Sequence, residues 1–135
     1  MAILDNLGKY RNTGLLLLRL GVGVMFIIHG FPKLAGGPNS WTSLGGSMKV
    51  IGVDFLPIFW GFMAAATETF GGFLLIVGLF FRPALILLIF TMIIASLVHF
   101  GKGDGLQGAS HAIELGIVFF ALIFIGPGKY SVDKK

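Results

Sequence analysis

No cysteine occurs in this chain of 135 residues. Thiol–disulfide exchange, iron–sulfur clusters and thiolate zinc sites are therefore excluded within the polypeptide itself. A quinone-linked disulfide-oxidase mechanism, which small membrane bundles can use, is excluded with them. Charge is scarce too. Acidic and basic residues make up 12% of the chain, against 56% hydrophobic residues. That leaves too little polar surface to cover a soluble globule of this size, and a bilayer is the natural solvent. The net charge is +4, but no basic stripe interleaved with aromatics is present, which argues against nucleic acid. The basic residues read instead as flanks of membrane spans. Lys9 and Arg11 ahead of Leu15, Leu16, Leu17 and Leu18 imitate a secretory signal. Arg19 interrupts that stretch and no small-residue cleavage pattern follows, so it reads as a retained first span.

What the chain does have is four hydrophobic runs, at about 13–31, 55–81, 83–100 and 111–125. At about 1.5 Å of rise per residue, each can cross a hydrocarbon core of about 30 Å. The prediction is one all-α domain over residues 1–135, a four-helix transmembrane bundle. Gly126-Pro127-Gly128 stops the fourth run, and Pro83 opens the third directly after Arg82. The single long connection, 32–54, places Trp41, Leu44, Met48 and Ile51 at helical spacing. This predicts a short helix on the membrane surface. Residues 101–110 read as a compact Gly-rich turn. Four spans put both termini on one side, with Lys9, Arg11, Arg82, Lys129, Lys134 and Lys135. Only Lys33, Lys49 and Lys102 lie opposite. The asymmetry predicts N- and C-termini in the cytoplasm and the long loop outside.

The ionisable residues within the runs fall at one level. Counted from the terminal side at about 1.5 Å per residue, His29, Glu68, His99, His111 and Glu114 lie roughly 18–24 Å along their helices, and Arg19 about 9 Å. Such groups are costly in hydrocarbon and gather inside bundles where they satisfy one another. Gly61, Ala65, Glu68 and Gly72 share one stripe of the second helix, which lets a neighbour approach closely. Ala112 and Gly116 form a second small-residue pair. Arg19 paired with Glu68 or Glu114 is the simplest explanation of both acids. The plain alternative is a hydrogen-bond network that only fixes helix register. Three chemical readings stand beside it. Imidazoles and carboxyls can hold a quinone headgroup and carry its protons. His29, His99, His111 and Glu114 can be proposed as metal ligands, although His111-x-x-Glu114 reverses the Glu-x-x-His order of di-iron bundles. His29 and His99 can be proposed as axial haem ligands, although no attachment motif accompanies them.

Taken together, Arg19-Leu-Gly, His29-Gly-Phe-Pro-Lys33, Glu68 with Gly71-Gly72, His99, Glu114 and the exit Gly126-Pro127-Gly128-Lys129-Tyr130-Ser131-Val132-Asp133 resemble the DoxX family of small bacterial membrane proteins. The resemblance covers nearly the whole chain. It implies a multi-pass protein of the bacterial inner membrane with four helices. It also implies association with membrane redox systems handling sulfur compounds or oxidative stress, the family name deriving from a thiosulfate:quinone oxidoreductase. The matching positions are Arg19, His29, Lys33, Glu68, His99 and Glu114; His111 falls outside that pattern. On this expectation Glu68 and Glu114 move protons, Arg19 tunes them, and His29, His99 and Lys33 bind the cofactor, a quinone before a metal or haem. Expected partners are membrane lipid, other redox or membrane proteins, and a second copy in a homo-oligomer. The lack of cysteine means that any thiol relay belongs to a partner. A membrane scaffold or assembly factor is the rival reading, since distant relatives act so. A solute or proton pathway is a third, for which one four-helix protomer is narrow.

Overall fold

Every segment apolar and long enough to span a bilayer is helical in the computed structural model, which describes residues 2–134. Lys135, counted above among the basic residues of the terminal side, lies outside the described residues. A short helix α1 (Ala2–Asp5) and a 3-10 turn lead into α2 (Arg11–Ala35). Helix α3 (Gly37–Gly45) and a second 3-10 segment (Gly46–Ile51) fill the long connection. Helices α4 (Pro57–Val77), α5 (Phe81–Gly101) and α6 (Gly105–Ile125) complete the bundle. The four long helices α2, α4, α5 and α6 are the membrane spans.

Glycine decides how closely the helices approach. A Cβ at Gly23 of α2 would stand 2.6 Å from the Gly72 carbonyl oxygen of α4, and a Cβ at Gly72 equally close to that of Gly23. One turn-pair further, a Cβ at Gly30 would lie 2.7 Å from Glu68 Cβ. The small stripe on α4 therefore does what its spacing predicts, with van der Waals contact at backbone range. The same device docks α3. A Cβ at Gly45 would overlap the Pro57 carbonyl, and one at Gly61 the Trp41 carbonyl. The short helix of the long loop is thus present as predicted, and it is clamped to α4 by backbone contact. Helices α5 and α6 join through Leu85, Leu88 and Met92 against Ala112, Phe119 and Leu122. The order around the bundle is α2–α4–α5–α6. Helices α2 and α6 have no backbone contact among the described residues. Their link is the Phe26–Phe119 ring contact, 5.5 Å between centroids.

Three boundaries differ from the sequence reading. Helix α4 ends at Val77, and α5 begins at Phe81 and not at Pro83, because Gly78 takes a positive φ of 70° and turns the chain ahead of Arg82-Pro83. Helix α2 continues through Pro32 to Ala35, because a transmembrane helix tolerates proline where neighbouring structure re-satisfies the backbone. Helix α6 starts at Gly105, six residues before His111. The supposed turn over 101–110 shrinks to Lys102–Asp104, since Gly103 and Gly105 supply positive φ angles of 81° and 70°.

The terminal end is closed by the exit segment. The Val132 and Asp133 amides donate to the carbonyls of Val77 and Gly78. The Asp133 carboxylate accepts from the Phe80 and Phe81 amides and so caps α5. Gly78, at φ 70°, admits Ser131 so closely that any side chain there would collide with it.

Candidate functional site

Arg19 is the first residue to be reassigned. It is 2% exposed and all its bonds go to main-chain carbonyls. Nε donates to Leu75 O (3.0 Å), Nη1 to Pro127 O (2.8 Å), and Nη2 to Ile76 O and Tyr130 O (both 2.9 Å). The guanidinium thereby satisfies the orphan carbonyls in the last turn of α4 and ties them to the exit segment. The expected pairing with Glu68 or Glu114 is not formed. Its physical reason is plain: a helix C-terminus and a Gly-Pro-Gly exit offer four acceptors at the depth where Arg19 already lies.

Glu68 finds its cation elsewhere. Lys33 Nζ donates to both carboxylate oxygens, at 3.1 and 3.3 Å. The lysine side chain is 39% exposed and the glutamate 9%. Lys33, expected among the cofactor-binding residues, is therefore the counter-ion of the buried acid. Gly30, one turn before it, brings the α2 backbone against Glu68 and shortens the reach.

The gap between α2 and α6 is a cleft of about 600 Å³. Its walls are apolar, formed by Leu17, Leu18, Val22, Phe26, Met92 and Leu115 among others. At its loop end it meets His29, Lys33, Glu68, His99 and His111. Four of the five residues placed at one level by sequence thus share one cavity, and Lys33 joins them. Each long wall comes from a membrane helix, so the cleft opens sideways, toward lipid. His29 Nδ1 is 2.7 Å from Met25 O, and His99 Nδ1 is 2.8 Å from Asp104 Oδ2. Both rings are fixed through Nδ1, leaving Nε2 as the group available to a ligand.

A second cavity, about 480 Å³, lies between α4 and α5 beneath the loop segment. It shares Lys33, Glu68, Ala95 and His99 with the cleft. Trp60 also lines it, and the Trp60 indole N–H is buried with no hydrogen-bond partner among the described residues. The Lys33–Glu68 pair stands where the two spaces meet.

The proposed metal set fails on geometry. Among the described residues, no three of His, Asp or Glu come close enough to hold one ion. Glu114, one of the four residues of that set, is exposed and outside the cleft lining. Asp104 went unnoticed in the sequence. It orients His99; the signal was an acid five residues on, in a turn too short to carry it away.

Four membrane spans, with a cleft between α2 and α6 and a buried ion pair at its polar end, define a small multi-pass membrane protein. The chain belongs to the DoxX family, whose model matches residues 14–101. The match includes Arg19, His29, Lys33, Glu68 and His99, whereas α6, with His111 and Glu114, lies beyond it. A Haemophilus influenzae protein described only as uncharacterized is 33% identical over 98% of this chain and 97% of its own length. The inner membrane protein YphA of Escherichia coli is 28% identical over 95% of this chain and 94% of its own. A Bacillus subtilis protein named putative oxidoreductase CatD is 33% identical over 64% of this chain and 60% of its own. No solved structure matches.

Proposed function

We propose that the protein is a quinone-linked component of a redox system in the bacterial inner membrane, with both termini in the cytoplasm. The observation that carries this reading is the cleft itself: apolar walls open to lipid, ending in His29, Lys33–Glu68, His99 and His111. An isoprenoid quinone has that shape, a long apolar tail and a headgroup with two carbonyls. With Nδ1–H given to Met25 O and to Asp104, the Nε2 atoms of His29 and His99 are acceptors and take the two hydroxyls of the quinol form. Reduction to quinol takes two electrons and two protons. A partner redox protein supplies the electrons, and Glu68 and His99 relay the protons. Lys33 holds the Glu68 carboxylate in place. Glu114, outside the lining, is not required. The oxidoreductase name of the Bacillus relative and the inner-membrane name of the E. coli relative agree with this assignment.

The test is direct. The protein is purified in mild detergent, and its lipid extract is assayed for quinone by mass spectrometry, with an optical spectrum and metal analysis in parallel. Stoichiometric quinone that is lost in Glu68→Gln and His99→Ala, with thermal stability retained, is the expected result. An empty wild-type protein whose variants lose only stability would establish the rival, a scaffold in which the ion pair locks the bundle. A haem absorption band in the wild type would replace the quinone outright.

A further inference from the structure

We infer that a second copy of this chain packs against α6 along the stripe Gln107, His111, Glu114, Val118, Ala121 and Ile125, with His111 of each copy hydrogen-bonded to Glu114 of the other. Glu114 is the tenth residue of the 21-residue helix α6, which puts it near the middle of the membrane. It is exposed and has no hydrogen-bond or ion-pair partner in the described chain. A carboxylate facing hydrocarbon alone at that depth is costly, and intramembrane acids face another protein group or water. His111, one turn toward the loop end, is exposed as well, and its ring has no hydrogen-bond partner among the described residues.

The surface around this pair is suited to a helix. The six stripe residues follow one another at intervals of four and three, the spacing that keeps one seam of a helix against a neighbour. Five of the six are exposed and Val118 is half-buried. Ala121 is small, so two backbones can approach in the inner half of the membrane.

Self-complementarity selects the occupant. Copies in one membrane are related by a two-fold axis along its normal, so their α6 helices run parallel at equal depth. His111 and Glu114 are about 4.5 Å apart along the axis, within side-chain reach between adjacent layers of a parallel pair. One surface thus supplies a donor and an acceptor, and its copy returns both. A different partner would have to bring its own donor. The contact borders the lip of the cleft, because His111 also lines it, yet the inference does not depend on what the cleft binds.

The absence of cysteine makes the test clean. Single cysteines at Ala121 or Gln107 in the full chain, oxidised in liposomes, should give a dimer of twice 14.5 kDa. Cysteine at Phe120, on the other flank of α6, should not. In the Ala121→Cys background, Glu114→Leu should weaken self-association about tenfold at a fixed protein-to-lipid ratio, the loss of two intramembrane hydrogen bonds. Its thermal midpoint as a detergent monomer should not fall, because Glu114 has no hydrogen-bond or ion-pair partner among the described residues, and its quinone content should stay as in the wild type. Equal cross-linking at Ala121 and Phe120, or unchanged association in Glu114→Leu, would overturn the inference. So would a stable complex through this stripe with a different membrane protein.

Discussion

Replacing Arg19 by methionine separates the two roles available to it. In the structure its guanidinium donates to four carbonyls, two of them fully buried, at Leu75 and Pro127. A hydrogen bond to a charged group contributes about 1.5–3 kcal/mol, and a buried acceptor left bare costs about 1–3 kcal/mol. The bonds to Ile76 and Tyr130 are only part-buried, and water can replace them. The two buried bonds then dominate, and Arg19→Met should destabilise the fold by about 4 kcal/mol on those magnitudes. Arg19→Lys keeps the charge but cannot reach four acceptors from one ammonium, and should cost about half as much. Unfolding of purified protein in mixed detergent micelles, followed by tryptophan fluorescence, measures both. The folded fraction of each variant should still carry quinone at wild-type stoichiometry. A variant that unfolds like the wild type but comes out empty would refute the reasoning, because Arg19 would then act at the cleft and not at the bundle's end.

Three further outcomes follow from single contacts. Gly61→Val forces α3 away from α4 and should lower stability by about 3 kcal/mol, with new proteolytic cutting between residues 36 and 52 as the readout. Asp133→Ala removes the cap of α5 and should cost about 1 kcal/mol, seen as a lower thermal midpoint with no change in bound ligand. Lys33→Met strands the Glu68 carboxylate and should cost roughly 2 kcal/mol, less than a fully buried pair because the lysine is part-exposed. The double variant Lys33→Met/Glu68→Met should be more stable than Lys33→Met alone, a non-additivity that a double-mutant cycle measures in thermal unfolding.

The hydrophobic runs made the spans and the short loop helix legible, because a bilayer leaves the backbone little alternative to helix. The common level of His29, Glu68, His99 and His111 was legible as well, since depth along a helix is a matter of counting. Pairing was not. Arg19 was expected to pair with Glu68 or Glu114, but its partners are carbonyls, and one-letter codes do not mark a free carbonyl. Glu68 meets Lys33 because Gly30 brings two backbones together, a relation between helices that neither helix carries by itself. Glu114 shows the same limit. Its depth could be counted, but whether it faced the cleft depended on how α6 rotates against α5. The start of α6 was hidden by Gly105 and Gly108, which read as turn residues and here lie inside a helix.

The grip of Arg19 on Pro127 and Tyr130 spans 108 and 111 positions of sequence. A ribosome delivers the first span to the bilayer long before it delivers those acceptors. During that interval the arginine waits in the membrane without its final ligands, and it can settle only when the last segment arrives to be held. Closure of the terminal end is thereby tied to completion of synthesis. A chain cut short before Pro127 would keep all four spans but leave the arginine with only its two acceptors on α4, a half-satisfied cation open to the enzymes that clear faulty membrane proteins.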